Sequence, residues 1–173
     1  MEASVTGSEN GSLGRSIAGF LRDIGLDISF GEIAGDTFLP GILVKDGGLV
    51  IDEAKLRYPG DLLHEAGHLA FAPSAIRSTI SGEVVLPDVN AAVVEVQAIA
   101  WSYAASVFLG IDPAVVFHRD GYHGKSEAIL FNISIGNILG LPGLSEHGMA
   151  YSPSRAAELG VAPFPVMHKW LAD

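Results

Sequence analysis

The sequence predicts an α+β fold in a single domain, with a small antiparallel sheet that includes a hairpin and packs on several helices. Three observations predict it: helical spacing of apolar residues from Ser12, short β-prone runs within residues 27–53, and helical patterns along most of the remaining chain. Strands and helices do not alternate, which argues against a βαβ sheet. We expect residues 1–11 to form a flexible tail and residues 12–173 to form the domain.

In the first half of the domain the sequence predicts one helix followed by the sheet. Leu13, Ile17, Phe20, Leu21 and Ile24 follow a helical period, and Gly25 is a stop signal. The runs ISFGEI, TFLPGILV and GLVID follow as strands. The turn sequence at 45–48, Lys-Asp-Gly-Gly, joins the last two as a hairpin, while Pro40 and Gly41 favour an edge strand in the middle run.

In the second half the sequence predicts helices separated by loops. A helix is predicted from Pro59 or Asp61 to Phe71 with Asp61 as its N-cap, followed by an irregular stretch over 74–87. A long apolar helix opens near Asp88 or Asn90 and stops at Gly110. Residues 118–124 form a polar loop, and helical patterns return at 126–139, after Ser152-Pro153 and after Pro165.

Composition narrows the functional classes. The net charge of −10 and the scattered ten Lys and Arg residues argue against nucleic-acid binding. Having no cysteine, the chain can form neither disulfides nor thiolate metal sites. Residues 91–111 are long enough to suggest a membrane span, but polar residues interrupt them, which favours a buried helix. The amino terminus lacks the basic and apolar regions of a secretory signal, so we expect a cytoplasmic protein without membrane attachment.

The stretch DLLHEAGHLAF at 61–71 contains the residues that indicate metal binding and hydrolysis. His64, Glu65 and His68 form HExxH, and on a helix residues four apart share one face, so both imidazoles can bind one metal ion. Glu65 lies about 100° round that helix, which suits a general base for an attacking water. Gly67 either lets another helix approach closely or is simply tolerated.

Two histidines leave a catalytic zinc site one ligand short. The extended pattern HExxHxxGxxH fails, because Phe71 and Ser74 stand where its glycine and last histidine would be. Glu95 is the leading candidate for the third ligand, since an ionised carboxylate in an apolar helix needs a partner. It could instead occupy an exposed first turn, where the helix dipole favours an acid. Asp88, His118 and His123 are the other possible ligands, and the two histidines lie in the polar loop at 118–124.

HExxH followed by a glutamate on a later helix resembles the glutamate-zincins, and among them the ImmA/IrrE-type metallopeptidases. The resemblance lies in GLVIDEAKLRYPGDLLHEAGHLAF and in EVQAIAWSYA, which is similar to that family's ExxAxxFA-type ligand helix. It implies a zincin-like fold, Zn²⁺ held by His64, His68 and Glu95, and Glu65 as the catalytic acid/base. It also implies a peptide or protein substrate, which could add as an extended strand to the edge of the 37–53 hairpin.

Hydrolysis of a peptide would need a further donor for the negative charge that develops on the carbonyl oxygen. His118, Tyr122, His123 and His147 are the candidates, and we assign His123 as the second catalytic residue. Carboxylates should orient the ligand imidazoles, and Asp52, Asp61 and Asp88 could do so.

Two other functions fit the same residues. A zincin-like domain without hydrolytic activity could keep the metal for partner binding or regulation, and such a domain has no need of Glu65. An interaction domain without a metal is the second alternative, and it predicts that His64 can be replaced without loss of stability. The residues leave the substrate and the oligomeric state open.

Overall fold

The computed structural model describes residues 3–86 and 89–173. In chain order its elements are α1 (Ala3–Asp23), β1 (Ile28–Phe30), β2 (Ile42–Lys45), β3 (Gly48–Ile51), α2 (Asp61–Ala70), α3 (Ser74–Arg77), α4 (Ala91–Leu109), α5 (Pro113–Val116), α6 (Ser126–Ser134), α7 (Leu141–Glu146) and α8 (Pro153–Leu159). A single 3-10 turn, Tyr122–Gly124, precedes α6. The α+β prediction for one domain is therefore confirmed.

The sheet has three strands in the order β1-β3-β2 and is mixed rather than antiparallel. The β2–β3 pair is the predicted hairpin, and Asp46 and Gly47 both have positive φ, as its two-residue turn requires. The prediction of an antiparallel sheet is wrong for β1, which pairs with β3 in parallel. The chain reverses direction twice between β1 and β3, so pairing on the free side of β3 has to be parallel.

β2 lies at an edge of the sheet, as Pro40 and Gly41 suggested. Part of that edge is already bonded, because Gly82 N–H donates to the Val44 carbonyl at 2.9 Å. A peptide adding to β2 would thus find fewer free backbone groups than on an open edge strand.

Three local predictions are wrong. α1 begins at Ala3, so residues 3–11 continue the helix where a tail was expected, and Asn10 there donates to the Arg57 carbonyl. Four residues of the predicted irregular stretch form α3. No helix forms after Pro165, where the described chain is held by other contacts, including the backbone bond from Ala172 N–H to the Ala70 carbonyl.

α4 is the central helix of the core. Asn90 caps its amino end by accepting from Ala92 N–H, and Gly110 in the left-handed conformation ends it, both as the sequence predicts. Trp101 is fully buried and donates to the Trp170 carbonyl at 2.9 Å. Within the described ranges, α4 is the one helix long and apolar enough to cross a membrane, and half of that stretch is buried in the protein.

α2 packs directly on α4, and Gly67 determines how closely. A Cβ at Gly67 would lie 2.9 Å from the Ala98 carbonyl oxygen and 3.1 Å from Ala98 Cα. Real Cβ atoms essentially never approach that closely, so only glycine permits this spacing. Of the two readings of Gly67, close helix approach is the correct one.

Candidate metal centre

Helices α2 and α4 bring His64, His68 and Glu95 together. The two Nε2 atoms are 3.1 Å apart, and Glu95 Oε2 lies 3.6 Å from His64 Nε2 and 3.3 Å from His68 Nε2. The three residues could hold a metal ion, since one donor atom of each lies within 4.8 Å of the other two. We call them the His–His–Glu cluster.

Both histidines are largely buried, whereas the carboxylate is partly open. The side chains of His64 and His68 are 13% and 15% exposed, and that of Glu95 is 44% exposed. The Nδ1 atoms of both histidines are buried and have no protein partner among the described residues. The two Nε2 atoms, 3.1 Å from each other and within 3.6 Å of Glu95 Oε2, face the centre of the cluster, and Glu95 is its most exposed member.

Glu95 does not sit on an exposed first turn. It is the fifth residue of α4, and both histidines are within 3.6 Å of its carboxylate. Burial works against its ionisation, but hydrogen bonds and charge from His64 and His68 hold the pKa of the Glu95 carboxyl well below its usual range. The partner that this acid needed in an apolar helix is thus the pair of histidines.

Glu65 lies beside the cluster without joining it. Burial raises the pKa of its carboxyl, while the nearby charges of His68 and His64 act in the opposite direction. A carboxyl with a raised pKa is better matched to accepting and returning a proton at neutral pH than an ordinary surface glutamate.

Asp61 does not cap α2 and does not contact the ligand imidazoles through a hydrogen bond. Gly60 is the N-cap residue, and Asp61 Oδ1 instead lies 2.9 Å from His118 Nε2. Asp61 is buried and His118 is largely buried, and Tyr58 stacks on the His118 ring with the centroids 3.9 Å apart. The Asp61–His118 pair fastens the 118–124 loop to the first turn of α2, one turn before His64.

Tyr122 is the residue of that loop that reaches the cluster. Its ring meets the His64 ring edge-on at 5.1 Å, and its hydroxyl is buried without a partner among the described residues. Burial, together with the charges of Asp61, Glu95 and Glu65, raises the pKa of Tyr122 well above its usual range. The hydroxyl is therefore protonated at neutral pH and can donate a hydrogen bond.

The other candidates lie elsewhere. His123 is exposed, and no contact joins it to the cluster in the described part of the chain. His147 packs edge-on against Phe71 with the ring centroids 5.5 Å apart. Asp52 accepts from the backbone of Ile33 and Ala54. Asp88 lies outside the described residues.

The backbone of the loop is unusual in a way that sequence patterns do not reveal. Tyr122 and His123 both have positive φ, at 55° and 52°. Non-glycine residues in this region cost of order 1 kcal/mol each and are often found at functional sites. Tyr122 was one of four sequence candidates, and its burial against His64 is what singles it out.

Comparison with known proteins returned no match, whether to family models, to curated proteins or to solved structures.

Proposed function

We propose that the chain is a zinc-dependent metallopeptidase with a zincin-like fold, similar to the ImmA/IrrE-type enzymes. The observation that carries the proposal is the spacing of the three donor atoms. Zinc bonds of 2.0 to 2.2 Å at tetrahedral angles separate neighbouring ligand atoms by about 3.3 to 3.6 Å. In the His–His–Glu cluster the separations of 3.3 and 3.6 Å lie in that range, and the third, 3.1 Å, lies just below it.

The donor set also favours zinc over harder ions. Two imidazole nitrogens and one carboxylate oxygen suit zinc, whereas Mg²⁺ and Ca²⁺ prefer oxygen ligands throughout. Three protein ligands with one open side are typical of a catalytic zinc site, because structural sites use four. When bound, zinc would supply Lewis acidity that makes water a better nucleophile at neutral pH.

The chain's own residues supply the remaining functions of a peptide hydrolase. Glu65 accepts a proton from the attacking water as its oxygen bonds to the carbonyl carbon, and returns it to the amine as the C–N bond breaks. The Tyr122 hydroxyl, protonated and without a partner among the described residues, donates to the carbonyl oxygen as its negative charge grows. The Asp61–His118 pair holds the loop that carries Tyr122.

The test uses zinc-loaded protein and a mixture of fluorescence-quenched peptides. Wild type is expected to cleave some of them, and Glu65→Gln is expected to keep one zinc per chain while losing at least about 100-fold in rate. Glu158→Gln, at an exposed glutamate of α8, is the matched control and should retain both. Equal cleavage by Glu65→Gln and wild type would contradict the proposal. Zinc binding without any cleavage would favour the inactive metal-binding domain instead.

A further inference from the structure

An apolar cavity of about 60 Å³ lies between α4 and α6. Its walls come from two helix faces and from the turn before α7. The apolar lining includes Val96, Ile99 and Tyr103 of α4, Ile129 and Ile133 of α6, and Leu139. None of the described residues that line it is charged. Its two amides are already engaged, because Asn137 donates to Asn132 Oδ1 and Asn132 donates to the Ala128 carbonyl.

The cavity begins next to Glu95 on the same helix. Val96 follows Glu95 directly, and Ile99 lies one turn further on, about 6 Å along the axis and about 40° round it. Ala98, where α2 packs, is on the other side of Glu95. The Glu95 carboxylate therefore projects between α2, which carries the histidines, and the wall of the cavity.

The wall that α6 contributes to the cavity is also close to the cluster along the chain. Tyr122 lies against His64, and α6 begins four residues later. Ile129 and Ile133 lie one turn apart on the face of α6 that lines the cavity. The same two segments thus border both the cluster and the cavity, and Leu139, which also lines the cavity, is 63% exposed.

We propose that this cavity binds an aliphatic side chain of the peptide substrate, of the size of leucine, isoleucine or methionine, close to the bond that is cleaved. The inference rests on the proposed function and adds the substrate class to it. A charged side chain would lose its hydration there without finding a counter-ion. An aliphatic one would lose only water contact, which favours it over a methyl or a hydrogen by about 10- to 100-fold in affinity.

Alkyl hydroxamates test the cavity without requiring hydrolysis, because the hydroxamate group chelates the metal and the tail alone varies. The probes are acetohydroxamic acid, 4-methylpentanehydroxamic acid, 4-phenylbutanehydroxamic acid and succinic monohydroxamic acid, titrated against cobalt-loaded protein by visible absorption. We expect the 4-methylpentane tail to bind about 10- to 100-fold more tightly than the acetyl compound, and the succinyl tail to gain nothing.

Two variants at Ile133 and one control locate the effect. Ile133→Phe should fill the cavity and abolish the gain without changing acetohydroxamate binding. Ile133→Ala should weaken the 4-methylpentane tail and strengthen a 4-phenylbutane tail, a reversal that misfolding cannot produce. Phe131→Ala is the control, since Phe131 is 63% exposed on the opposite side of α6 and does not line the cavity.

The outcomes separate the two proposals. If the tail gives no gain, or if the gain survives in Ile133→Phe, the cavity inference is wrong while the metallopeptidase proposal stands. If Ile133→Phe changes only the sedimentation coefficient, the cavity is an interface between copies and the inference again is wrong. If tails are selected as expected but no peptide is cleaved by zinc-loaded protein, hydrolysis is refuted, and the cavity is retained as a binding site for aliphatic groups beside the metal but no longer as a site for a peptide substrate. If cobalt does not bind, the metallopeptidase proposal and the cavity inference are both wrong.

Discussion

Replacing Gly67 by alanine tests whether close packing of α2 on α4 holds the cluster together. The added Cβ would lie 2.9 Å from the Ala98 carbonyl oxygen, against 3.4 Å or more for an ordinary contact, so the helices must separate by about half an ångström. Alanine gains about 1 kcal/mol in helix propensity, but overpacking costs about 1 to 3 kcal/mol. The net effect is a loss of up to about 2 kcal/mol in the free energy of unfolding.

Gly19 of α1 provides the matched control. A Cβ there meets nothing within 4 Å in the described ranges, so Gly19→Ala should raise the free energy of unfolding by about 1 kcal/mol. Denaturant unfolding of metal-free protein measures both variants. Because His64 and His68 lie on α2 and Glu95 on α4, Gly67→Ala should also weaken zinc binding by about 10-fold. Stabilisation of Gly67→Ala equal to that of Gly19→Ala, with unchanged zinc affinity, would refute the reasoning.

Three further predictions concern the surroundings of the cluster. Tyr122→Phe should lower kcat for peptide hydrolysis by about 100-fold with zinc content unchanged, and by more than His123→Ala does; steady-state kinetics giving the reverse order would contradict the role of Tyr122. His118→Ala should destabilise the protein by about 2 kcal/mol, because buried Asp61 loses its partner, and adding Asp61→Ala should cost less than the sum; additive losses in denaturant unfolding would count against the pair. In metal-free protein the pKa of Glu95 is lowered, so its ionised form stabilises the fold by at most about 1 kcal/mol, as expected for a partly exposed group. This stability is fully present above the unfolded pKa of about 4.5 and is lost progressively as the pH falls from that value towards the lowered folded pKa. The free energy of unfolding of Glu95→Gln should therefore differ from that of wild type at pH 6 and converge with it in acid.

Local signals in the sequence were sufficient for the elements that form the cluster. HExxH on a helix and a carboxylate in an apolar helix are local patterns, and the caps of α4 at Asn90 and Gly110 are local as well. The hairpin turn at Asp46 and Gly47 follows from its own residues. Local chemistry of this kind does not depend on the rest of the fold.

The errors concern features that depend on distant partners. The free side of β3 on which β1 pairs is not encoded in β1 itself. Asp61 looks like an N-cap until His118, 57 residues later, comes to lie 2.9 Å away. As the donor to the carbonyl oxygen, Tyr122 is distinguished from its neighbour His123 by the contact of its ring with His64, which the sequence does not show. Tertiary contacts decide such cases, and sequence periodicity does not report them.

Zinc content measured for wild type and Glu95→Ala tests the central claim most directly. Elemental analysis after zinc loading and dialysis is expected to give one zinc per wild-type chain and a clear loss of stoichiometric zinc in Glu95→Ala, because two histidines alone leave the site short of a ligand. Glu158→Ala, at an exposed glutamate, should retain the full amount. Wild type without zinc, or Glu95→Ala with the full wild-type content, would contradict the account.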